Sequence, residues 1–305
     1  MPRRIALVGV GRIARDQHVP ALAASPDWEL AATVSRNGGV EGVEGFRDLE
    51  AFLAARPDVE TVSLCMPPVP RFAHAQTALL AGRHVMLEKP PGATLGEVAE
   101  LERLAGERGL TLFTSWHSRM ARAVEAAREW LAPRVVMCAH VTWREDVRHW
   151  HPGQHWVFEP GGMGVFDPGI NALSILTHIL PEPVHVTSAE LDIPANCFTP
   201  IAARLSFSGG ISADFDWRQE GEQTWDMDFD TDDGQMSLRH GGNELWVEGE
   251  RVTGSDSIAG EYPALYARMA GLVAAGAREV DLGPMLHVAD AMMLGRRQVV
   301  EPFHL

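Results

Sequence analysis

The first third of the chain alternates short apolar runs with longer amphipathic runs. The segment Ile5–Val10 is continuously apolar and rich in β-branched residues, which is typical of a strand buried on both faces of a parallel sheet. The segment Leu95–Arg108 is amphipathic, and Thr94 followed by Glu97 predicts a capping box at its start. Because strand and helix alternate in this way to about residue 114, the sequence predicts a doubly wound parallel α/β sheet.

Five strands and four helices make up this alternation. The predicted strands are Ile5–Val10, Glu29–Val34, Thr61–Cys65, His84–Leu87 and Thr111–Thr114. The predicted helices are Arg12–Ala24, Leu49–Ala55, Phe72–Ala81 and Leu95–Arg108. Ligands of such sheets bind at the carboxyl ends of the strands, so the residues that follow each strand are candidates for a binding site.

The pattern changes near Ser118, beyond which strand-like segments follow one another without intervening helices. Gly209-Gly210 and Asp233-Gly234 are typical of hairpin turns. The predicted strands are Val135–Trp143, Val184–Ile193, Ile201–Phe207, Ile211–Asp216 and Trp225–Asp230, and the predicted helices are Arg122–Leu131, Tyr262–Ala275 and Met285–Arg297. We therefore predict a doubly wound α/β domain over residues 1–118 and a mostly antiparallel, open-sheet α+β domain over residues 119–305, closed by the two late helices.

The first predicted strand runs into Gly9-Val10-Gly11-Arg12-Ile13-Ala14, which fits G-x-G-x-x-A. The first glycine permits a tight turn, the second lets a pyrophosphate approach the backbone, and the small last residue lets helix and strand pack closely. The helix that follows offers its N-terminal N–H groups to phosphate. Between a strand and a helix, the motif predicts a Rossmann-type dinucleotide site that uses Gly9, Gly11, Arg12 and Ile13.

The second predicted strand ends at Val34, followed by Ser35 and Arg36. A site for NAD usually has Asp or Glu here, to accept from the ribose 2′-hydroxyl. A hydroxyl and a guanidinium instead suit a 2′-phosphate, and the guanidinium can stack on adenine. The alternative is that Arg36 is an ordinary solvated turn residue. We predict that NADP is accepted, alongside NAD.

Lys89 is the only lysine in the chain, since every other residue in the Lys+Arg count of 26 is arginine. Arginine stays charged in proteins, whereas a buried lysine can lose its proton and act as a base; a genome biased toward arginine codons is the alternative explanation. Lys89 lies in Glu88-Lys89-Pro90, directly after a predicted strand, as Pro67 does. Glu88, Lys89 and Pro67 are therefore predicted to contact the cofactor, with Lys89 at its nicotinamide end.

Composition excludes several classes of protein. The formal net charge of −15 argues against nucleic acid or an anionic membrane as a partner, because both need basic patches. The three cysteines, Cys65, Cys138 and Cys197, lie far apart without metal-ligand spacing. No apolar run approaches the roughly 20 residues of a membrane span, and the apolar start is too short and too early broken for a secretory signal. A cytoplasmic protein is expected.

The densest polar cluster runs from Glu145 to Trp156 and mixes carboxylate, histidine, glutamine and tryptophan. Such a mixture suits a sugar, because indole rings pack on C–H faces while polar groups bind hydroxyls. A surface loop anchored by tryptophan is the simpler alternative. Metal binding is another, through three histidines, but no carboxylate or cysteine spacing supports a defined site, and we predict no metal. The three histidines are His149, His151 and His155.

Asp167 and Asn171 lie four residues apart at the start of a predicted helix, so they share one face. Asp167 is also the kind of residue that the macrodipole favours at a helix N-terminus, and Asn171 could be an ordinary packing residue.

The N-terminal glycine motif followed by Glu-Lys-Pro resembles the oxidoreductase family typified by glucose–fructose oxidoreductase and inositol 2-dehydrogenase. Within it, the chain is similar to the bacterial L-arabinose/D-galactose 1-dehydrogenases over nearly its whole length. The matching segments are 14–18, 84–98, 114–119, 145–148, 150–154 and 164–171. Many members of the family have histidine where this chain has Asn171. The resemblance implies substrate contacts from Glu145, Trp150, His151 and Asn171, and an open sheet face that serves assembly into a homodimer or homotetramer.

The resemblance also implies oxidation of the C1 hydroxyl of D-galactose or L-arabinose to the aldonolactone, with hydride transfer to NAD or NADP. The proton would go to Asp167 or Lys89, and we favour Asp167 as the base with Lys89 as a hydrogen-bond donor to the C1 oxygen. The alternatives are another sugar or inositol oxidation on the same scaffold, and a catalytically silent sugar sensor that binds a dinucleotide. A titrating pair of residues favours the enzymes, because a sensor has no need of one.

Overall fold

The structure is a computed structural model that describes residues 2–254 and 260–305. By its internal contacts the chain divides into two compact units. The first contains the residues up to His117 together with Tyr262–Leu282, and the second contains Ser118–Glu261 together with Gly283–Leu305. The predicted domains, 1–118 and 119–305, did not anticipate that a segment near the C-terminus returns to the first unit.

The first unit is built on a six-stranded sheet in which every neighbouring pair is parallel, in the order β3-β2-β1-β4-β5-β6. The strands are β1 Arg3–Val8, β2 Trp28–Val34, β3 Glu44–Phe46, β4 Thr61–Leu64, β5 His84–Glu88 and β6 Leu112–Ser115. The doubly wound parallel sheet predicted from the sequence is thereby confirmed. The strand order reverses at β1, and the turns after β1 and β4 lie at this switch point, where such sheets bind ligands.

Four helices connect these strands: α1 Val19–Ala23, α2 Leu49–Ala55, α3 Pro68–Leu80 and α4 Leu95–Arg108. The capping box predicted for α4 is present, with Thr94 accepting from the Glu97 N–H. The first predicted helix is not uniform, because a π-helical turn at Ala14–His18 precedes α1. Single π turns are frequent at functional sites, and this one carries the fully buried side chain of His18.

The second unit is built on a nine-stranded sheet in the order β14-β13-β12-β11-β7-β10-β9-β8-β15. Its strands are β7 Val136–Arg144, β8 Val186–Pro194, β9 Ala202–Phe207, β10 Ile211–Asp216, β11 Thr224–Thr231, β12 Gly234–Arg239, β13 Glu244–Val247, β14 Glu250–Gly254 and β15 Arg296–Val300. Only the pairs β7–β10 and β8–β15 are parallel, so the predicted, mostly antiparallel sheet is confirmed. Helices α5, α7 and α9 contact its strands, while residues such as His140, Asp214 and Arg204 point to the other face and are exposed or half-buried.

The remaining helices are α5 Val124–Leu131, α6 Val147–Trp150, α7 Phe166–Ile179, α8 Glu261–Ala275 and α9 Gly283–Leu294. The last predicted helix, 285–297, was too long: it ends before Gly295, and the residues beyond it pair with β8 as β15. In residues 2–254 and 260–305, no helix is long and apolar enough to cross a membrane.

The expectation that α8 closes the second domain was wrong. Its residues from Tyr262 onward belong to the first unit, where the Trp28 indole donates to the Tyr266 carbonyl at 2.8 Å. Beyond the helix, the Thr114 N–H donates to the Glu279 carbonyl at 3.0 Å, at the edge of β6. These partners lie far away in sequence, so periodicity within the helix could not reveal them.

Candidate active site

The turn after β1 has the geometry that the glycine motif predicts. Gly9 has φ = +90°, and a Cβ built there would lie 2.8 Å from the Met66 backbone nitrogen. A Cβ built on Gly11 would meet nothing within 4 Å. Only glycine therefore fits at Gly9, and the absence of a side chain at Gly11 leaves space for a ligand beside the backbone. The residues present fit a dinucleotide pyrophosphate, with Arg12 exposed and Ile13 partly so beside them.

The end of β2 places Ser35 and Arg36 as expected, directly after the strand. The Ser35 N–H donates to the Phe46 carbonyl at 2.9 Å, and its hydroxyl accepts from the Asn37 N–H at 3.3 Å. Arg36 is exposed, and within residues 2–254 and 260–305 it has no hydrogen bond or ion pair. An exposed guanidinium without such a partner can receive a phosphate without first breaking another contact.

The loop Glu88-Lys89-Pro90 follows β5, and the Lys89–Pro90 peptide bond is cis. The buried Arg71 guanidinium on α3 donates to the carbonyls of Glu88 and Pro90 and to that of Met66. The backbone on both sides of Lys89 is thus tied to the turn after β4, which also contains Pro67. Lys89 itself is half-buried.

A buried polar cluster lies behind this loop. Glu88 Oε1 accepts from the Tyr262 hydroxyl at 2.6 Å and lies 3.3 Å from His18 Nε2. The other His18 nitrogen, Nδ1, lies 2.7 Å from the Tyr266 hydroxyl. Glu88 Oε2 accepts from the Lys89 backbone N–H. One carboxylate therefore connects the imidazole, a phenol and the backbone of the lone lysine.

The environment favours the charged forms of both His18 and Glu88. Burial lowers the pKa of His18, but its neighbours Cys65, Tyr266 and Glu88 outweigh burial and raise it well above 6.5. Burial raises the pKa of Glu88, but the hydrogen bond and charge of His18 lower it to about 2. Because the His18 pKa is raised, its charge stabilises the folded state fully below pH 6.5. Because the Glu88 pKa is lowered, its charge does so fully above pH 4.5. The ion pair therefore makes its full contribution to folding stability between pH 4.5 and pH 6.5.

In the second unit, a buried carboxylate is held by two indoles. Glu145 Oε1 accepts from Trp217 Nε1 at 3.0 Å, and Oε2 accepts from Trp225 Nε1 at 3.1 Å. The Trp150 ring lies 5.9 Å from that of Trp225, and its N–H donates to Gln223 at 3.4 Å. A carboxylate among aromatic rings offers strong hydrogen-bond acceptors beside flat apolar faces, which is the combination that a sugar needs.

His151 joins the same cluster through the edge of its ring, 5.2 Å from the Trp217 ring. Its Nε2 lies 3.2 Å from Asp167 Oδ2, and its Nδ1 lies 3.3 Å from Gln154 Oε1. Gln154 Oε1 also accepts from Trp156 Nε1 at 3.2 Å, and an indole N–H can only donate. This oxygen can therefore also accept from His151 Nδ1, while Nε2 of the same ring faces the Asp167 carboxylate.

Helix α7 carries both Asp167, in its first turn, and Asn171, one turn further on. Asp167 is buried and Asn171 is half-buried. A Cβ on Gly169 would lie 3.0 Å from the Phe215 ring of β10, so the glycine lets the helix pack closely on the sheet. The structure thus brings Glu145, Trp150, His151 and Asp167 into one connected cluster and places Asn171 beside it on the helix.

The histidine-rich segment does not assemble as a metal centre. In the described part of the chain, no group of three or more His, Cys, Asp or Glu side chains could hold a metal ion. His149 packs edge-on against Trp150, with ring centroids 4.9 Å apart, and His155 is exposed.

Sequence reasoning did not assign a role to several residues that complete these clusters. Their partners are distant in sequence: Arg71 meets a loop 17 to 19 residues away, and Tyr262 meets Glu88 across 174 residues. His18 ends the polar run Arg15-Asp16-Gln17-His18, so its own segment gives no sign that it is buried. The residues without an assigned role were His18, Arg71, Trp217, Trp225, Tyr262 and Tyr266.

A parallel doubly wound sheet with this glycine turn and a lysine after β5 defines an oxidoreductase that uses a nicotinamide dinucleotide. Residues 3–115 match the model of the "Oxidoreductase family, NAD-binding Rossmann fold". The chain is 42% identical over 308 aligned positions to the galactose 1-dehydrogenase of Pseudomonas fluorescens, covering 99% of each protein. The protein belongs to this oxidoreductase family and is an NAD(P)-dependent enzyme, which confirms the predicted resemblance, enzyme class and type of cofactor.

Solved structures agree with this assignment. The crystal structure of the D-galactose-1-dehydrogenase protein from Rhizobium etli superimposes with a TM-score of 0.94 at 53% identity, covering 99% of this chain and 98% of that one. KijD10, a 3-ketoreductase from Actinomadura kijaniata in complex with TDP-benzene and NADP, matches with a TM-score of 0.81 over 100% of both chains. At 19% identity, that second likeness shows the fold alone.

Proposed function

We propose that the protein oxidises the C1 hydroxyl of D-galactose to the aldonolactone. The observation that carries the proposal is the cluster in which Glu145, held by two indoles, is linked through Trp217 to His151 and Asp167. It occurs in a chain similar over its whole length to two galactose 1-dehydrogenases. An arrangement of acceptors beside aromatic faces suits a polyhydroxylated ring.

The carboxylate and the rings would bind and orient the sugar. The two indole N–H groups hold the Glu145 carboxylate in place, so that it can accept hydrogen bonds from sugar hydroxyls without reorganising. Trp150 supplies an apolar ring face, while His151 and Asn171 supply further polar contacts. Holding the reacting carbon in one orientation contributes the positional part of catalysis.

Removing the C1 hydrogen as hydride requires that the hydroxyl proton leave as well. The nicotinamide, when bound, accepts the hydride. We propose that Asp167 accepts the hydroxyl proton and that Lys89 donates a hydrogen bond to the C1 oxygen. His151 Nε2, which lies 3.2 Å from Asp167 Oδ2, would hold this carboxylate in place as the base.

The dinucleotide would be held by the turn after β1, with Gly9, Gly11, Arg12 and Ile13 around the pyrophosphate and Ser35 and Arg36 at the adenosine ribose. Pro67 lies after β4 and Glu88 is the last residue of β5, at the same edge of the sheet as these turns. The parallel strands therefore present all of these residues at their carboxyl ends.

The test is a spectrophotometric assay of cofactor reduction with a panel of aldoses, inositol and sugar alcohols. We expect turnover with D-galactose and also with L-arabinose, because the two pyranoses differ only in the C5 substituent. Contacts to one small substituent let a pocket discriminate between two substrates by only about 10- to 200-fold, so the slower of the two sugars should still be turned over measurably. Identification of the lactone product by NMR would complete the assignment. Turnover of inositol alone would contradict it, as would tight cofactor binding without turnover of any sugar, which would favour a sensor.

NADP should be accepted as cofactor alongside NAD, because the exposed Arg36 can pair with a 2′-phosphate. In Arg36→Ala, kcat/KM with NADP should fall by about ten- to hundredfold, as expected for a lost charge-assisted hydrogen bond, while kcat/KM with NAD changes little. The NAD reaction serves as the internal control for folding. A strong preference of the wild-type enzyme for NAD would contradict the prediction.

We further propose that the enzyme is a cytoplasmic homodimer or homotetramer that assembles through the outward face of the nine-stranded sheet. Its three cysteines, in a sequence without disulfide spacing, fit a reducing compartment. The outward face carries paired charges, such as Arg144 with Asp214 at 2.8 Å, which suit a polar interface. Light scattering after size-exclusion chromatography tests the oligomer; a monomer at micromolar concentration would contradict it.

A further inference from the structure

We propose that His18, Tyr262 and Tyr266 form a positioning cluster that keeps Glu88 ionised and thereby fixes Lys89 for catalysis. The cluster lies entirely within the first unit, behind the cofactor side of the loop that carries the lysine. The inference rests on the proposed function, because it assigns these residues to the same reaction. None of them is required to touch the substrate.

The contacts of Glu88 leave its carboxylate saturated with donors. The Tyr262 hydroxyl and His18 Nε2 approach Oε1, while the Lys89 backbone N–H donates to Oε2. Glu88 is only 3% exposed. A buried carboxylate is costly unless it is paired and hydrogen-bonded, and His18 is the group that can bring a positive charge to it.

The surroundings of His18 favour the imidazolium. Its side chain is wholly buried, and Nδ1 lies 2.7 Å from the Tyr266 hydroxyl, an oxygen that can accept from a protonated ring. The titratable groups that face it are Cys65 after β4, Glu88 on β5, and the two tyrosines on α8. His117, after β6, stacks on Tyr262 with centroids 5.4 Å apart and also acts on Glu88.

The cluster reaches Lys89 through the main chain. Glu88 Oε2 holds the Lys89 N–H, and Arg71 holds the carbonyls on either side of that residue. With the backbone tied at these three points, the side chain of Lys89 starts from a fixed position. A neutral His18 would weaken the hold on Glu88 and release one of the three ties.

His18→Gln tests the proposal, because glutamine keeps a donor for Glu88 but carries no charge. We expect kcat to fall by about ten- to hundredfold, since misplacing a catalytic group by about 1 Å costs on that order. The KM for the sugar should change little, and the acid limb of the kcat–pH profile should move to higher pH, because Glu88 loses the charge that lowers its pKa. Tyr262→Phe, which removes one donor to Glu88 at nearly constant volume, should give the same change in smaller degree. His178→Gln is the matched control, since it breaks a His–Glu pair with Glu125 in the second unit.

A second measurement does not depend on turnover. In protein labelled with ¹⁵N-histidine, the signals absent from His18→Gln belong to His18, and at neutral pH they should show both ring nitrogens protonated. Glu88→Gln should convert that ring to the neutral form. A neutral His18 in the wild type would overturn the proposal, as would a His18→Gln enzyme with the kcat and pH profile of the wild type. A wild-type enzyme inactive on every sugar, with His18 nevertheless charged, would refute the proposed function and leave the ion pair in place.

Discussion

Replacing Lys89 by methionine is expected to lower kcat by roughly 10²- to 10⁴-fold, the usual contribution of a positioned proton-transfer or hydrogen-bonding group. Methionine keeps the length and apolar stem of the side chain but has no donor. Because Arg71 and Glu88 hold the backbone of the loop, the fold and cofactor affinity should be retained. Fluorescence measurements of cofactor binding check that the affinity is retained. A Lys89→Met variant with kcat within threefold of the wild type would contradict the expected loss of activity.

Lys89→Arg distinguishes the two roles open to the ammonium. A guanidinium donates hydrogen bonds but cannot act as a base at neutral pH, so appreciable activity in this variant, well above that of Lys89→Met, is expected if Asp167 takes the proton. Loss of activity in both variants would leave the two roles of Lys89 open.

The protonation state of Lys89, which distinguishes its two possible roles, can also be measured directly. Since Lys89 is the only lysine, labelling with ¹⁵N-lysine gives a single side-chain signal without any assignment step. An ammonium signal that persists at the pH of maximal activity supports the hydrogen-bonding role. A neutral amine at that pH would make Lys89 the base.

Asp167→Asn should lower kcat by a similar factor, roughly 10² to 10⁴. The amide oxygen can still accept from His151 Nε2, so the ring keeps its partner and its position, while the proton acceptor is lost. KM for the sugar should change much less than kcat, because an interaction made only in the transition state has been removed.

The control for Asp167→Asn is Asp214→Asn, which removes a carboxylate on the outward face of the nine-stranded sheet, paired with Arg144. It changes the same functional group and the same net charge without touching the sugar cluster. Activity of Asp167→Asn within threefold of this control would exclude Asp167 as the base.

The sequence predicted the first unit well because local signals there agree with one another. The capping box of α4 and the positive φ of Gly9 are each set within a few residues of the chain, so both can be predicted from short segments. The ends of strands β1, β2, β4 and β5 follow from the apolar runs themselves, which is why the candidate cofactor residues were found.

The sequence-based predictions were wrong for segments whose structure depends on residues far away in the chain. The helix α8 reads as amphipathic whichever unit it joins, and only its contacts with Trp28, His18 and Glu88 place it. The strand β15 forms because β8 offers a free edge, and its first two residues, Arg296 and Arg297, lie in what periodicity reads as the end of a helix. Pairing across more than a hundred residues leaves no periodic trace.

The sequence by itself determined the class of the protein. The glycine turn between a strand and a helix can be predicted from residue type and spacing, because few residues other than glycine adopt its backbone conformation. The lone Lys89 after a later strand can be found in the same way, because few side chains can both donate a hydrogen bond and exchange a proton. Only the tertiary structure decided which buried groups surround them. It placed His18 and two tyrosines behind Glu88, and it joined Glu145 to two indoles and Asp167 to His151. Those contacts join segments far apart in the chain, and burial, which gives them their strength, exists only after folding.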